Sequence, residues 1–404
     1  MKKHIRRIGK KERQYIKEIL DSNFRASDNK NMLGRLEDAF SKKFGVKYSI
    51  GHTNGTATLH SALYAAGVRA GDEVIVPALT MSATAMAVLQ QDAVPMFADV
   101  REDTFQINPR SIEKLISPRT KAIITVALYG LSPEMDVIMK IAKKYKLIVI
   151  EDDAQCFLGK YKGKVVGSIG HLSSFSFQNS KHMTSGEGGI VCTNNSEYAD
   201  AVRKFSVLGY AGVSAKKRKI IKDDIQNPDY NRHVCMGYNY RMSELCAAVA
   251  LGQIERLDEL VQRRIDVAKL FLKAVENYSW LVPQKTPEYC RNSYWAFAVR
   301  LVHPNVTWSE FRKKFMEFGG DGIYATWKLT YMEPMFQNMN FSGKEKIIEK
   351  IYKGVLQKYK KGLCPVAESI QPWILAFKTN YWDWNRAVKQ AEILKKTIQF
   401  YDKK

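Results

Sequence analysis

Lys181 stands in a polar turn, Gln178-Asn179-Ser180-Lys181-His182, after the strand-like run Ser174-Phe175-Ser176-Phe177. A glycine-rich return, Gly186-Glu187-Gly188-Gly189, then feeds a second strand-like run, Ile190-Val191-Cys192-Thr193. An amine presented in such a turn can act as a Schiff-base nucleophile toward a carbonyl. The glycines do not form a dinucleotide fingerprint, because a strand follows them where a helix is required. Most lysines are surface charges, so Lys181 gains meaning only with partners.

Three other places offer them. Glu151-Asp152-Asp153-Ala154-Gln155 follows the apolar run Val149-Ile150 and leaves an acid where a strand stops; an acidic helix start reads the same way. His52-Thr53-Asn54-Gly55-Thr56 puts small polar residues before an amphipathic stretch, so the free N–H groups of a helix N-terminus, approached closely at Gly55, can hold an anion. An ordinary N-cap is the plainer account of the same residues. Gly237-Tyr238-Asn239-Tyr240-Arg241 precedes a helical pattern and supplies an amide and a guanidinium, or only a cap.

These residues need a scaffold that brings distant strand ends together. β-branched runs at Glu73–Val76, Pro95–Asp99, Lys121–Val126, Lys146–Ile150 and Ser174–Phe177 alternate with helical patterns at 55–68, 81–91, 110–117 and 134–145. Continuous apolar strands separated by helices predict an α/β fold with a mostly parallel central sheet covered on both faces. Ligands then bind at the carboxyl ends of the strands, where the polar residues above fall. A helical segment over Arg241–Asn277 leads to strand candidates at Tyr294–Leu301, a helix at Ser309–Phe318 and a C-terminal helix at Trp384–Tyr401. The chain therefore divides into a cofactor-binding domain with an N-terminal helical segment, 1–255, and a smaller C-terminal α+β domain, 256–404. Residues 212–232 read as a long surface loop.

The 404 residues are 45% hydrophobic, which excludes a disordered chain and supplies a core without staples. Six scattered cysteines without a CxxC pair signal neither a zinc site nor a disulfide framework, so reduced thiols and a cytoplasmic location are expected. No apolar run is long enough to span a membrane. The net charge of +22 lies in short, separated groups such as Lys216-Lys217-Arg218-Lys219, and is read as solvated helix faces; no nucleic-acid partner is expected. The opposing reading, a basic nucleic-acid-binding or scaffold protein, predicts a colourless protein with salt-dependent polyanion affinity.

Asn54-Gly55-Thr56, Glu151-Asp152-x-Ala154-Gln155, Phe175-Ser176-Phe177-x-x-x-Lys181-x-x-Thr184-x-Gly186-Glu187-Gly188-Gly189 and Gly237-Tyr238-Asn239-Tyr240-Arg241, in this order, resemble the DegT/DnrJ/StrS sugar aminotransferases. The likeness runs from about residue 10 to beyond 255, with echoes such as Cys364-Pro365-Val366. It implies a fold-type I transferase that binds pyridoxal 5'-phosphate, a homodimer with active sites at the subunit interface, and amination of a keto sugar by glutamate or glutamine. The substrate so implied is a nucleotide-linked 4-keto-6-deoxyhexose. By the same resemblance Lys181 matches the lysine that bonds the cofactor aldehyde and moves the substrate proton. Asp152 matches the partner of the pyridine nitrogen, Gln155 the neighbour of the ring hydroxyl, and Gly55, Thr56 and Ser176 the phosphate cup. Asn239 matches a residue reaching the phosphate from the neighbouring subunit, with Arg241 the next candidate. No metal is implied.

The sequence also departs from the family. Met81 follows Pro77-Ala78-Leu79-Thr80 where relatives often carry an aromatic, so a thioether is expected against the cofactor ring. Ala127 stands where many relatives have His, and Gln178-Asn179-Ser180 replaces His-Pro-x, which resembles branches acting on cyclitols or other keto substrates. A further branch dehydrates sugars with histidine in place of the lysine; Lys181 argues for amino transfer, since His182 is one residue off. Substrate choice is expected from 212–232 and 321–334, where Trp327, Lys328 and Tyr331 either meet substrate or pack in the core.

Overall fold

The computed structural model describes residues 5–24, 31–218, 220–339 and 359–402. Its strands are β1 (Tyr48–His52), β2 (Glu73–Pro77), β3 (Val94–Ala98), β4 (Thr120–Val126), β5 (Ile148–Asp152), β6 (Lys160–Tyr161), β7 (Lys164–Val165), β8 (Leu172–Ser176) and β9 (Gly189–Thr193), followed by β10 (Leu281–Pro283), β11 (Cys290–Arg291), β12 (Ala296–Leu301), β13 (Tyr324–Ala325) and β14 (Ile374–Lys378). The principal helices are α1 (Lys10–Asp21), α2 (Met32–Phe44), α3 (Gly55–Ala65), α4 (Ala83–Gln90), α5 (Pro109–Leu115), α6 (Met135–Tyr145), α7 (Ser196–Ser206), α8 (Lys222–Gln226), α9 (Glu244–Glu255), α10 (Leu257–Val275) and α11 (Trp308–Glu317); a last helix spans Trp384–Asp402.

Seven strands form the central sheet in the order β1-β9-β8-β5-β4-β2-β3. Pairings from β8 to β3 are parallel, and β9 runs antiparallel to both β8 and β1. Alternation along each strand splits its side chains between two helical layers. Val74, Val76, Ile124 and Val126 pack with Leu59 and Leu63 of α3 and Val88 of α4. Ile75, Ile123 and Val149 face the other way, onto Ile112 of α5 and Ile138 and Ile141 of α6. Under β8 and β9, Phe175 and Ile190 meet Phe40 and Phe44 of α2 and Leu251 of α9.

A buried ion pair ties this layer together. Arg203 of α7 donates from both terminal nitrogens to Glu37 of α2, at 2.9 and 2.7 Å, and Arg218 reaches the same carboxylate at 2.9 Å. Arg218 also bonds Asp38, which fastens the 212–232 segment to α2. That segment holds the short helix α8 and is otherwise irregular, as its composition predicts.

The second sheet, β10-β12-β14-β13, is antiparallel and packs Phe297, Val299 and Phe377 against Phe271 of α10, Phe311 and Phe315 of α11, and Leu394 and Ile398 of the last helix. A third, three-stranded sheet pairs β11 with the β6–β7 hairpin.

The expected helix over Arg241–Asn277 is two helices, parted at Arg256 (φ −118°, ψ 18°). The Arg256 side chain donates to the carbonyls of Arg6 and Arg7 and to Glu12, so the break coincides with the place where the N-terminal segment docks. Helix formation begins only at Glu244, where the Ser243 hydroxyl accepts from the Cys246 N–H. β5 starts at Ile148 and not at Lys146, because Lys146 takes the left-handed conformation (φ 55°) that ends α6. β12 starts two residues late for a similar reason: Tyr294 sits at φ 50° with its N–H bonded to the Asn292 side chain.

Candidate active site

The parallel strands deliver their carboxyl ends to one cavity of about 810 Å³, walled on its other side by the smaller sheet. Gly55, Thr56, Met81, Asp152, Gln155, Ser176 and Lys181 all line it. Asn239 and Arg241 do not; both are exposed, bridging β-fashion to Val207 and His52 respectively.

Asn54 is extended (φ −164°) and its side chain accepts from the Ala57 N–H at 2.8 Å, which starts α3 beside the end of β8. The first-turn N–H groups are left without helical acceptors. A methyl on Gly55 would lie 2.7 Å from Ser176 Cβ and 3.1 Å from its hydroxyl. Glycine therefore keeps the helix end and the Ser176 hydroxyl in a single cradle, suited to an anion.

Three consecutive acids lie at the end of β5, two in the strand and Asp153 just after it, and alternation along the extended chain separates their roles. Asp152 enters the cavity, accepting from Thr84 Oγ1 at 2.9 Å and from the Ala154 N–H at 3.3 Å. Burial raises its carboxyl above the usual range, while those hydrogen bonds and Lys181 pull it down. Glu151 faces away and gathers the N–H groups of Gly167, Ile169 and Gly170. Asp153 is buried with Oδ2 unbonded, its pKa raised by burial and by its two acidic neighbours. The Gln155 carbonyl oxygen accepts from the Tyr129 N–H at 2.9 Å, so its amide nitrogen is the end left to donate.

Lys181 follows a turn closed by its N–H to the Gln178 carbonyl, at 2.9 Å. Burial lowers its amine from 10.5 to about 8; Arg264 pushes the same way, and Asp152 and Glu187 oppose. The Lys181 Nζ lies 5.1 Å from the ring centre of Trp295, which is stacked between Tyr129 and Trp327 at 6.3 and 6.1 Å. His182 points into the core, where Nε2 meets the Ser293 carbonyl at 2.9 Å, and it does not line the cavity.

The departures fall as follows. Met81 is 45% exposed at the cavity wall. Ala127 packs against Cys156 and Val166, away from the cavity. Trp327 lines the site, Lys328 is exposed and off it, and Tyr331 is fully buried with its hydroxyl donating to Glu368 at 2.6 Å. Of the two segments expected to choose substrate, 321–334 contributes to the wall and 212–232 does not. Sequence reading missed Arg7, Thr84, Tyr129, Arg264 and Trp295, and also Tyr381 and Arg386, which join Asp321 of the 321–334 segment in the lining. Thr84 and Tyr129 lie within three residues of Met81 and Ala127, the others in segments remote from the motifs, and no local pattern marks any of them. Among the described residues no cluster of side chains suits a metal ion.

A model of the DegT/DnrJ/EryC1/StrS aminotransferase family matches residues 6–357. GDP-perosamine synthase of Escherichia coli O157:H7 is 37% identical over 289 residues, covering 72% of this chain and 74% of that protein. GDP-perosamine synthase of Caulobacter vibrioides is 36% identical over 296 residues, covering 73% and 76%. Among solved structures, an aminotransferase from Psychrobacter cryohalolentis matches with a TM-score of 0.84 at 27% identity, over 96% of each chain.

Proposed function

The chain belongs to the DegT/DnrJ/EryC1/StrS aminotransferase family, and we propose that it uses pyridoxal 5'-phosphate to aminate a nucleotide-linked 4-keto-6-deoxyhexose. The observation that carries this reading is the meeting of Lys181, Asp152 and the Gly55–Ser176 cradle in one cavity. The residues present fit the cofactor: the cradle suits its phosphate, and the buried Thr80 hydroxyl, without a partner, faces the same space. When bound, the cofactor supplies an aldehyde that exchanges for an amino group and a ring that takes up the electron pair released at the substrate carbon.

Asp152 would accept from the protonated ring nitrogen, and Thr84 holds that carboxylate in place. Gly55, Thr56 and Ser176 would hold the phosphate, Gln155 would donate to the ring hydroxyl, and the Met81 thioether would lie against the ring. Lys181 would take the proton from the substrate carbon and deliver it to the cofactor carbon across the shared nitrogen, which needs the amine neutral and near neutral pH in basicity. An amine held at about 8 meets that demand.

Glutamate or glutamine gives up its amino group and, with uptake of one water, leaves as the 2-keto acid; the keto sugar takes the group, its carbonyl oxygen leaves as water, and the product is an amino sugar. Two relatives named for GDP-perosamine, a nucleotide-linked amino sugar, support this substrate class. The enzyme works as a cytoplasmic homodimer in which Asn239 reaches the cofactor phosphate of the neighbouring subunit and Arg241 meets the substrate diphosphate. Their exposure, outside the cavity of their own chain, supports that placement. We assign residues 1–255 to the cofactor-binding domain and 256–404 to the smaller one; the backbone break at Arg256 supports that division.

The test is the visible spectrum of protein supplied with pyridoxal phosphate, with and without glutamate, for wild type and Lys181→Ala. A band that depends on Lys181 and is bleached by glutamate is expected. A folded, cofactor-loaded wild type whose spectrum matches that of Lys181→Ala would overturn the assignment.

A further inference from the structure

Arg264 of α10 is 1% exposed, yet among the described residues no carboxylate pairs with it. Its Nη2 donates to the carbonyls of Ser180 and Lys181 at 2.7 and 2.8 Å, and its Nη1 to the Trp295 carbonyl at 2.9 Å and the Thr379 hydroxyl at 3.3 Å. Trp295 Nε1 returns to the Ser180 carbonyl at 3.0 Å. Arg7, from the N-terminal segment, donates to the Asn179 carbonyl and, at 3.4 Å, to that of Lys181. Two guanidinium groups thus grip three successive carbonyls of the lysine turn. The charge that bears on Arg264 is Arg7, of the same sign.

A buried guanidinium is ordinarily paired, because an unopposed charge in a low-dielectric interior is costly. Neutral amide donors could hold the same carbonyls. The charge itself therefore needs a reason, and the guanidinium, bonded to the Lys181 carbonyl, acts on the amine of the same residue.

We propose that Arg264 is a positioning residue for Lys181: it fixes the Ser180–Lys181 peptide and the Trp295 ring beneath the amine, and its unneutralised positive charge disfavours a second one at Nζ. Other groups bear on that nitrogen from each side. Asp152 from β5 and Glu187 from the glycine-rich return favour the ammonium, while burial and Arg264 disfavour it. His182 is neutral, its own pKa driven far down by burial and by Arg264. Arg264 stays a cation at neutral pH even with its pKa lowered to about 9 by burial. Burial is the larger influence, and with two acids opposing, the Arg264 charge adds to it in keeping the amine available as a base.

This inference deepens the aminotransferase reading and rests on it for its purpose, but its first measurement needs no cofactor. Reductive methylation of cofactor-free protein with ¹³C-formaldehyde gives a Lys181 signal, assigned by its loss in Lys181→Ala, whose shift against pH reports the amine. Arg264→Gln should raise that midpoint, increasing proton affinity about tenfold. Arg264→Lys should leave it at the wild-type value. In cofactor-loaded protein the pH midpoint of the visible band should move the same way, and kcat at neutral pH should fall while KM holds, recovering at alkaline pH. Thermal denaturation checks that each variant folds.

A folded Arg264→Gln with the wild-type amine midpoint overturns the proposal, as does an Arg264→Lys midpoint raised as far as that of Gln. If Arg264→Gln does not fold, Arg264→Lys decides. It keeps the charge but lacks the fork that spans both carbonyls, so an unmoved midpoint with lowered kcat supports the proposal, and a wild-type kcat overturns it. A wild type without a Lys181-dependent visible band would sink the aminotransferase reading and leave the amine titration readable.

Discussion

Replacing Gly55 by Ala tests the cradle most directly. The added methyl would stand 2.7 Å from Ser176 Cβ and 3.4 Å from its Cα, both fixed in the ladder where Ser176 pairs with Gly189. Carbon atoms settle at about 3.5–4.0 Å, so helix and strand must part by roughly 1 Å. A hydrogen bond of about 2.8 Å then lengthens to about 3.8 Å and is lost. Losing one charge-assisted hydrogen bond of about 1.5–3 kcal/mol weakens phosphate binding roughly 10- to 150-fold. The fold should lose less, because crowding of about 1–3 kcal/mol is offset by up to about 1 kcal/mol for alanine over glycine in a helix. The assay is equilibrium titration of cofactor-free protein, wild type and Gly55→Ala, with pyridoxal phosphate and with pyridoxal, alongside thermal denaturation. The dissociation constant should rise for the phosphate ester and hardly move for pyridoxal. Equal losses for both, or a folded variant with wild-type affinity, would refute the placement of the phosphate at this cradle.

Lys181 is less basic in the fold, at about 8, than as a free amine at 10.5. Between those values the unfolded chain binds more protons, so stability of the cofactor-free protein rises with pH there. Lys181→Met should accordingly stabilise the cofactor-free fold at pH 7 by roughly 1–3 kcal/mol, with the gain vanishing above about pH 10.5; chemical denaturation at several pH values checks both size and sign. Arg203→Met leaves Glu37 buried with Arg218 as its remaining ion-pair partner and should cost about 3 kcal/mol, read as a lower denaturant midpoint; a loss under about 1 kcal/mol would show that Arg218 suffices. Mixing Lys181→Ala chains with Asn239→Ala chains should restore activity to about one quarter of wild type, because half the dimers then carry one intact site; no recovery after proven subunit exchange would remove Asn239 from the partner's site.

How far the sequence reaches is set by the range of the interactions involved. Local periodicity produced the parallel strands, and alternation along the end of β5 and the residue after it aimed Asp152 opposite to Glu151 and Asp153. The Asn54 cap and the need for glycine at position 55 depend on neighbours a few residues away or on one strand end, so the start of α3 was legible. The lysine turn, bounded by two strands, was legible for the same reason. The break at Arg256 was not, because the residues its side chain holds, Arg6, Arg7 and Glu12, lie at the far end of the chain. Tyr331 and Trp327 share one short segment, and only packing sent the first to the core and the second to the cavity. Arg264 belongs to a charged helix pattern that reads as solvated, yet 83 residues separate it from the Lys181 carbonyl it holds. Sequence spacing thus fixed which groups could do chemistry. Tertiary structure decided which charges lost their water beside them, since burial depends on surfaces brought together from across the chain and sets how strongly those charges act.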